Sequence, residues 1–320
     1  MADDGTFIAG IDLGGTKILS LCLDATFKVV GRDLRETDAE RGPEAVIESM
    51  VASALAAAGG RPLRAAGIST PGPSDPARGI VTTPPNLPGW HDVPLAALIS
   101  ERLGVPAWIE NDANAAALAE HRLGAGRGTQ HMVLVTLGTG IGGGLIFDGK
   151  LYHGASGAAG ELGHMRLVPD GPLCGCGRHG CLEALASGRA LGARAREIVE
   201  MQPDGILARL AAEAGEIDAR LLEQAANAGD ASAEAAIHYA GLQLGAGLTN
   251  IVDVFNPEMM VIGGGLRRLG ERYVGVAQRV MRSEAFAQPA ADVRVVEAEL
   301  GDEAPALGAA LMAYERVSRG

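Results

Sequence analysis

The sequence predicts an α/β protein of two domains with a cleft between them, each domain opening on a β-hairpin closed by a glycine-rich turn. Two such turns carry the prediction, Ile8-Ala9-Gly10-Ile11-Asp12-Leu13-Gly14-Gly15-Thr16-Lys17 and Leu137-Gly138-Thr139-Gly140-Ile141-Gly142-Gly143-Gly144. Each is followed by alternating helix and strand patterns, so the same order is written twice. The chain has 320 residues, 47% of them apolar, enough to bury two cores. Only 3% are aromatic, which predicts Ala-rich helices packed closely on sheets.

The first turn lies between strand patterns at 6–11 and 18–23, and residues 26–32 read as a third strand. Gly42-Pro43-Glu44 opens a helix to about residue 58, with proline and an acid in the first turn. A buried strand at 63–69 ends in Thr70-Pro71-Gly72-Pro73. Another at 105–110 ends at Asn111-Asp112, ahead of a helix at 113–123. Gly124-Ala125-Gly126-Arg127-Gly128 is a candidate boundary. The second half has strands at 132–137 and 145–147, an Asp148-Gly149 turn and a strand at 150–152. Ala-rich helices follow, one from about 232 to 251, then a strand at 259–262 ending in Gly263-Gly264-Gly265. A last helix over 304–317 is expected to be capped by Asp302. The expected domains are 1–112 plus about 301–320, and 113–300 with a metal loop at 164–183. Ligands of open α/β sheets sit beyond the carboxyl ends of strands, and Asp12, Asn111-Asp112 and Gly263 to Gly265 fall at such ends.

Glycine lets backbone N–H groups converge on phosphate oxygens, so two such turns suit the two ends of a polyphosphate. A dinucleotide fingerprint beginning at Gly138-Thr139-Gly140 would have to open a helix, whereas Leu145, Ile146 and Phe147 continue as strand. A bare hairpin turn would not need Asp12, Thr16 or Thr139. The formal charge of −12, with no basic run to offset it, opposes binding to nucleic acid or an anionic membrane. Met1-Ala2-Asp3-Asp4-Gly5 is acidic and lacks the pattern of a signal peptide, and no apolar stretch approaches the roughly 20 residues of a membrane span, so a cytoplasmic protein is expected.

Of four cysteines, Cys22 stands alone in an apolar strand, while Cys174-Gly175-Cys176-Gly177-Arg178-His179-Gly180-Cys181 packs three into one loop. That is a poor disulfide framework and a good metal one. Zinc wants a fourth ligand. His179 is near in sequence but cramped within the loop, and His164 in Gly160-Glu161-Leu162-Gly163-His164 is the better candidate. The competing reading is three reduced structural cysteines. For Glu110-Asn111-Asp112-Ala113-Asn114, an ordinary helix N-cap competes with a functional strand end.

These motifs together resemble the ROK family of sugar kinases over nearly the whole chain: Asp12 to Lys17, Glu110-Asn111-Asp112, Gly138 to Gly144, Glu161 to His164, and Cys174 to Glu183. The resemblance implies the two-domain actin/hexokinase-like (ribonuclease H-like) fold and a structural zinc held by His164, Cys174, Cys176 and Cys181. It implies Asp112 as general base on a sugar hydroxyl, with Asn111, Glu161, His164 and Glu183 bonding other hydroxyls and backbone at Gly72 completing that wall. Asp12 would help hold the Mg²⁺ that accompanies ATP. Gly14, Gly15, Thr16, Lys17, Gly138, Thr139 and Gly140 would line the phosphates, and Gly264 and Gly265 the adenosine. The resemblance also suggests a homodimer.

Pro85-Asn86-Leu87-Pro88-Gly89-Trp90 and the loop through Glu183-Ala184 look most like glucokinases, which implies phosphorylation of the glucose 6-hydroxyl. Kinases of fructose, allose, N-acetylglucosamine or N-acetylmannosamine share nearly all of the contact residues. A sugar-responsive regulator without catalysis is disfavoured by Asp112, by both phosphate turns and by a first motif that starts too early for a DNA-binding domain. An actin-like ATPase acting on proteins would have no use for the Cys-rich loop. Polyphosphate as donor has no basic cluster to support it.

Overall fold

A computed structural model of the chain describes residues 7–84 and 86–319. The expected strand start at Thr6, the acidic segment Met1 to Gly5 and the Pro85 of the glucokinase-like segment lie outside the described residues. In chain order the elements are β1 (Phe7–Leu13), β2 (Lys17–Leu23), β3 (Val29–Glu36), α1 (Gly42–Ala58), β4 (Leu63–Thr70), β5 (Ser74–Asp75), β6 (Ile80–Val81), α2 (Leu95–Leu103), β7 (Ala107–Asn111) and α3 (Asp112–Leu123). There follow β8 (Met132–Leu137), β9 (Ile141–Phe147), β10 (Lys150–Leu151), α4 (Leu182–Ala186), α5 (Gly188–Met201), α6 (Ile206–Glu213), α7 (Ala219–Asn227) and α8 (Ala231–Phe255). The chain closes with β11 (Met259–Gly263), α9 (Val274–Glu284), α10 (Ala287–Asp292), β12 (Arg294–Glu297) and α11 (Ala304–Arg319).

The duplicated order expected from sequence is present in the sheets. One runs β3-β2-β1-β4-β7, the other β10-β9-β8-β11-β12. In the first, β1, β2 and β3 are antiparallel and β1, β4 and β7 are parallel. In the second, β9 and β10 are antiparallel and β8, β11 and β12 are parallel. By internal packing the chain forms two units: residues 1–128, 144–159 and 299–320, and residues 129–143 and 160–298. Unit 1 thus includes α3, which lies beyond the limit at residue 112 expected from sequence.

Within unit 1, β1, β2, β4 and β7 bury Ile11, Leu13, Ile18, Ile68 and Ile109, and α1 adds Val46, Ile47 and Met50. Each such side chain contributes roughly 1.5–3 kcal/mol relative to exposure. On the other face α11 packs on β1, β4 and α3. The approach is close because small residues meet. A Cβ on Gly67 would lie 1.8 Å from the Ala309 carbonyl oxygen, and one on Gly308 would lie 1.7 Å from that of Ala115. Ala306, Ala309, Ala310 and Ala313 are buried on the contacting helix. This is the Ala/Gly packing that the composition predicts.

Some boundaries differ from those expected. The third strand begins at Val29 rather than at residue 26. The Asp24 carboxylate accepts hydrogen bonds from the Thr26 N–H at 2.8 Å and the Lys28 N–H at 3.1 Å, and Phe27 has φ 64°, so residues 24–28 are held as a turn. Helix α8 runs on to Phe255, where Asn256 ends it in the left-handed conformation. Asp302 lies in a 3₁₀ turn, Gly301–Glu303, directly ahead of α11.

Candidate functional site

Unit 1 carries its polar residues at the ends of three parallel strands, and register places them level. Asp12 pairs with Ser69, Ser69 with Glu110, and Thr70 with Asn111. The Ser69 hydroxyl donates to Asp12 Oδ1 at 2.8 Å. Burial nonetheless pushes the Asp12 carboxyl up to about 7; the Ser69 bond pulls down, while the charges of Asp112 and Asp302 push further up. A site that so disfavours one more negative charge is one that a hard cation would relieve. Its carboxylate donors fit Mg²⁺.

The turn between β1 and β2 is tied down by its carbonyls. Gly14 N–H donates to the Lys17 carbonyl at 2.9 Å, while the Thr37 hydroxyl donates to the Gly14 carbonyl at 2.7 Å and the Thr37 N–H to that of Thr16 at 2.9 Å. A Cβ on Gly15 would come within 2.9 Å of the Asn86 Cβ, so Gly15 lies against the segment after Pro84. Thr16 and Lys17 are exposed.

At the end of β7 both readings of Asn111 hold together. Asn111 is the N-cap of α3, its Oδ1 accepting from the N–H groups of Ala113 at 3.0 Å and Asn114 at 3.2 Å. Its Nδ2 lies 3.7 Å from where a Gly72 Cβ would stand, so Asn111 and Gly72 are neighbours as expected. Asp112 is the first residue of α3, and its Oδ1 accepts from the Ala113 N–H at 2.8 Å. The aligned peptide dipoles of a helix favour an ionised carboxylate at its N-terminus. Glu110 is fully buried and bonds the Asn111 N–H at 3.0 Å, Asn114 Nδ2 at 3.2 Å and His153 Nε2 at 2.8 Å.

Unit 2 carries the second glycine turn and the cysteine loop. The carbonyls of Gly138 and Thr139 accept from the N–H groups of Gly188 at 2.9 Å and Arg189 at 3.1 Å, at the start of α5. Glu183 Oε2 accepts from the Ile141 N–H at 3.0 Å, and a Cβ on Gly140 would meet that oxygen at 2.4 Å. Glycine at 140 is therefore what admits the Glu183 carboxylate to the turn. Gly264 follows β11 with φ 84°, and a Cβ there would lie 2.3 Å from the Leu137 carbonyl oxygen, a position only glycine fills. Gly265 begins a 3₁₀ segment, Gly265–Arg272.

The ligand atoms of His164, Cys174, Cys176 and Cys181 all lie within 4.8 Å of one another. His164 Nδ1 is 3.5 Å from Cys174 Sγ, and Cys176 Sγ is 3.7 Å from Cys181 Sγ. Tetrahedral zinc with Zn–S of about 2.3 Å and Zn–N of about 2.0–2.1 Å gives edges of about 3.5 Å for N···S and 3.8 Å for S···S. The donor set and spacing therefore fit that ion. His179 stands outside this cluster, its Nδ1 within 3.0 Å of the Gly171 carbonyl oxygen, so the alternative ligand is not brought to the site. His164 Nε2 faces the Glu161 carboxylate at 3.8 Å, the kind of partner that orients a ligating imidazole through its other nitrogen. Cys174 Sγ reaches Glu183 Oε1 at 3.8 Å, which joins the Cys/His cluster to the carboxylate at the glycine turn. The side chain of Arg178 holds the Cys176 thiol below its usual range, whereas burial pushes Cys174 up.

Sequence reading missed Ser69, Thr37 and His153. A polar residue at a strand end signalled Ser69; nothing local signalled the other two.

Two α/β units of duplicated topology, each with a glycine-rich turn and with polar residues at strand ends, have the layout of the actin-like kinase fold. Residues 8–316 match the model of the ROK family, and the chain belongs to that family. Among curated relatives it is 37% identical to a glucokinase of Thermotoga maritima, over 97% of this chain and 98% of the relative. It is 34% identical to an N-acetylmannosamine kinase of Shigella flexneri, over 96% and 98%. Among solved structures it is similar to a ROK hexokinase from Thermus thermophilus, with TM-score 0.82 and 38% identity over 98% of this chain and 100% of that one. It is equally similar to a ROK glucokinase from Streptomyces griseus in complex with glucose and AMPPNP, with TM-score 0.83 and 35% identity over 97% and 99%. The protein is a glucokinase-like sugar kinase.

Proposed function

We propose that this kinase transfers the γ-phosphoryl group of ATP to the 6-hydroxyl of glucose, with Asp112 as general base. The observation that carries this reading is the placement of Asp112: a carboxylate fixed at the first residue of α3 by the Ala113 N–H, directly after an N-capping Asn111 whose Nδ2 borders Gly72. Asn111, Glu161, His164 and Glu183 are the groups that would bond the remaining sugar hydroxyls. Phosphoryl transfer passes through a loose, charge-rich transition state, so the protein contributes mainly position and electrostatics. Mg²⁺, when bound near Asp12, supplies charge neutralisation to the phosphates. The backbone of Gly14, Gly15, Thr16, Lys17, Gly138, Thr139 and Gly140 orients the phosphates, and Gly264 and Gly265 receive the adenosine. Asp112 aligns the hydroxyl and takes its proton as the new P–O bond forms. A carboxylate is a weak base toward an alcohol, which late proton transfer tolerates.

The same reading includes a structural zinc on His164, Cys174, Cys176 and Cys181, whose role is to hold His164 and Glu183 in place, and a cytoplasmic, glycolytic homodimer as the family resemblance implies. No helix among the described residues is long and apolar enough to cross a membrane. The relative that acts on N-acetylmannosamine supports a second substrate, an N-acyl hexosamine, served by the same machinery. ADP release from Mg-ATP, measured as kcat/KM with glucose, mannose, fructose, N-acetylglucosamine and N-acetylmannosamine, separates them. Preference for glucose is the expected result; preference for an N-acyl sugar moves the function to amino-sugar phosphorylation, and no turnover with any sugar overturns the kinase reading.

A further inference from the structure

Glu110 is a fully buried carboxylate that no step of the proposed mechanism uses. Burying a charge is costly unless partners compensate it. Two of its partners, the Asn111 N–H and Asn114 Nδ2, are neutral donors on the first turn of α3. The partner able to carry positive charge is His153, whose Nε2 sits 2.8 Å from Glu110 Oε2. The Glu110 hydrogen bond raises the imidazole pKa above 6.5, against the opposing effects of burial and of Arg316 on α11. His153 lies two residues beyond β10, and its carbonyl accepts from the Ala159 N–H at 3.1 Å, closing a loop. One imidazole thus links that loop to the buried carboxylate beneath Asn111 and Asp112. If it is removed, Glu110 loses its 2.8 Å hydrogen bond and is free to turn, which loosens its hold on the Asn111 peptide and on Asn114.

We propose that His153 is a positioning residue for phosphoryl transfer: through buried Glu110 it fixes the turn from which Asn111 and Asp112 project. The inference rests on Asp112 being the general base. His153 itself touches no reacting atom; it acts on rate by holding the base in its productive position, where small misplacements cost up to about 100-fold.

The test compares His153→Ala, His153→Gln, Glu110→Gln and the His153→Ala/Glu110→Gln pair with the unaltered enzyme, reading kcat, KM for glucose and for ATP, and melting temperature. Asp112→Asn serves as control. The expected result is a fall in kcat of about 10- to 100-fold for His153→Ala with KM for ATP unchanged. His153→Gln, which keeps a donor toward Glu110 but no charge, should recover part of that loss. The paired variant should be no slower than His153→Ala alone, because a neutral amide in place of the Glu110 carboxylate needs no counter-charge. A His153→Ala enzyme within about twofold of normal kcat overturns the proposal. So does a loss that His153→Gln fails to recover and that merely follows a lower melting temperature. If Asp112→Asn keeps its turnover, the reading on which this rests has failed; if Asp112→Asn is inactive while His153→Ala is normal, only the positioning role has failed.

Discussion

The chemistry-bearing ends of the two units are held by different means. In unit 1, Asp12, Ser69, Glu110 and Asn111 ride on parallel strands whose register sets them level, and Asp112 is fixed by the first turn of a helix. Backbone hydrogen bonding and a close-packed Ala/Gly core hold that geometry. In unit 2, Glu161 and His164 belong to a stretch between β10 and α4 with little regular structure, and Glu183 sits on the first turn of the short α4, beside the point where three thiols and an imidazole converge. A strand end is positioned by folding itself. An irregular loop needs a cross-link, and the proposed zinc would supply one.

This contrast breaks most sharply on removal of the proposed zinc. Cys176→Ser is expected to lose zinc and sugar phosphorylation together, while far-UV circular dichroism retains the helices and strands. Elemental analysis beside a coupled ADP assay reads both; an active, zinc-free variant would dissolve the distinction between the two regions. A smaller effect sharpens the unit 1 side. His153 has its pKa raised in the folded state, so the stability it lends is fully present below about pH 6.5 and is lost as pH rises through the folded value. Melting temperatures from acid to mildly alkaline pH should therefore separate His153→Gln from the unaltered protein most at the acid end, and converge at the alkaline end. A constant gap at every pH contradicts the assignment. The smallest effect concerns unit 2 packing: the buried Tyr273 hydroxyl donates to the Ala186 carbonyl at 2.5 Å, at the end of the short helix that carries Glu183. Tyr273→Phe should cost about 0.5–1.5 kcal/mol in denaturant unfolding and leave zinc bound.

Features legible in the sequence were those written locally. Both glycine turns, the Asn111-Asp112 strand end and the three clustered cysteines stand out because their residue types occur side by side. The helix from Gly42 to Ala58 was announced by its proline and acid, and the close packing of α11 by the abundance of Ala and Gly. What stayed hidden depends on distant partners. His153 and Glu110 are 43 residues apart, and although Glu110 stands in a noticed motif nothing local points from it to His153. Helix α2 starts after Pro94 with no polar cap to mark it, and the shift of β3 follows from an aspartate-centred turn that a strand-like stretch of sequence conceals. Of the two histidines that the sequence offers as a fourth ligand, the structure brings His164 to the three thiols and turns His179 to the Gly171 carbonyl.

The most direct measurement is glucose-dependent ADP release by Asp112→Asn beside the unaltered enzyme, with zinc content and sugar binding matched in both. A general base at Asp112 predicts a fall in kcat of roughly 100-fold or more, the usual scale for loss of a positioned base, with glucose still bound. Near-normal turnover in that variant would contradict that role.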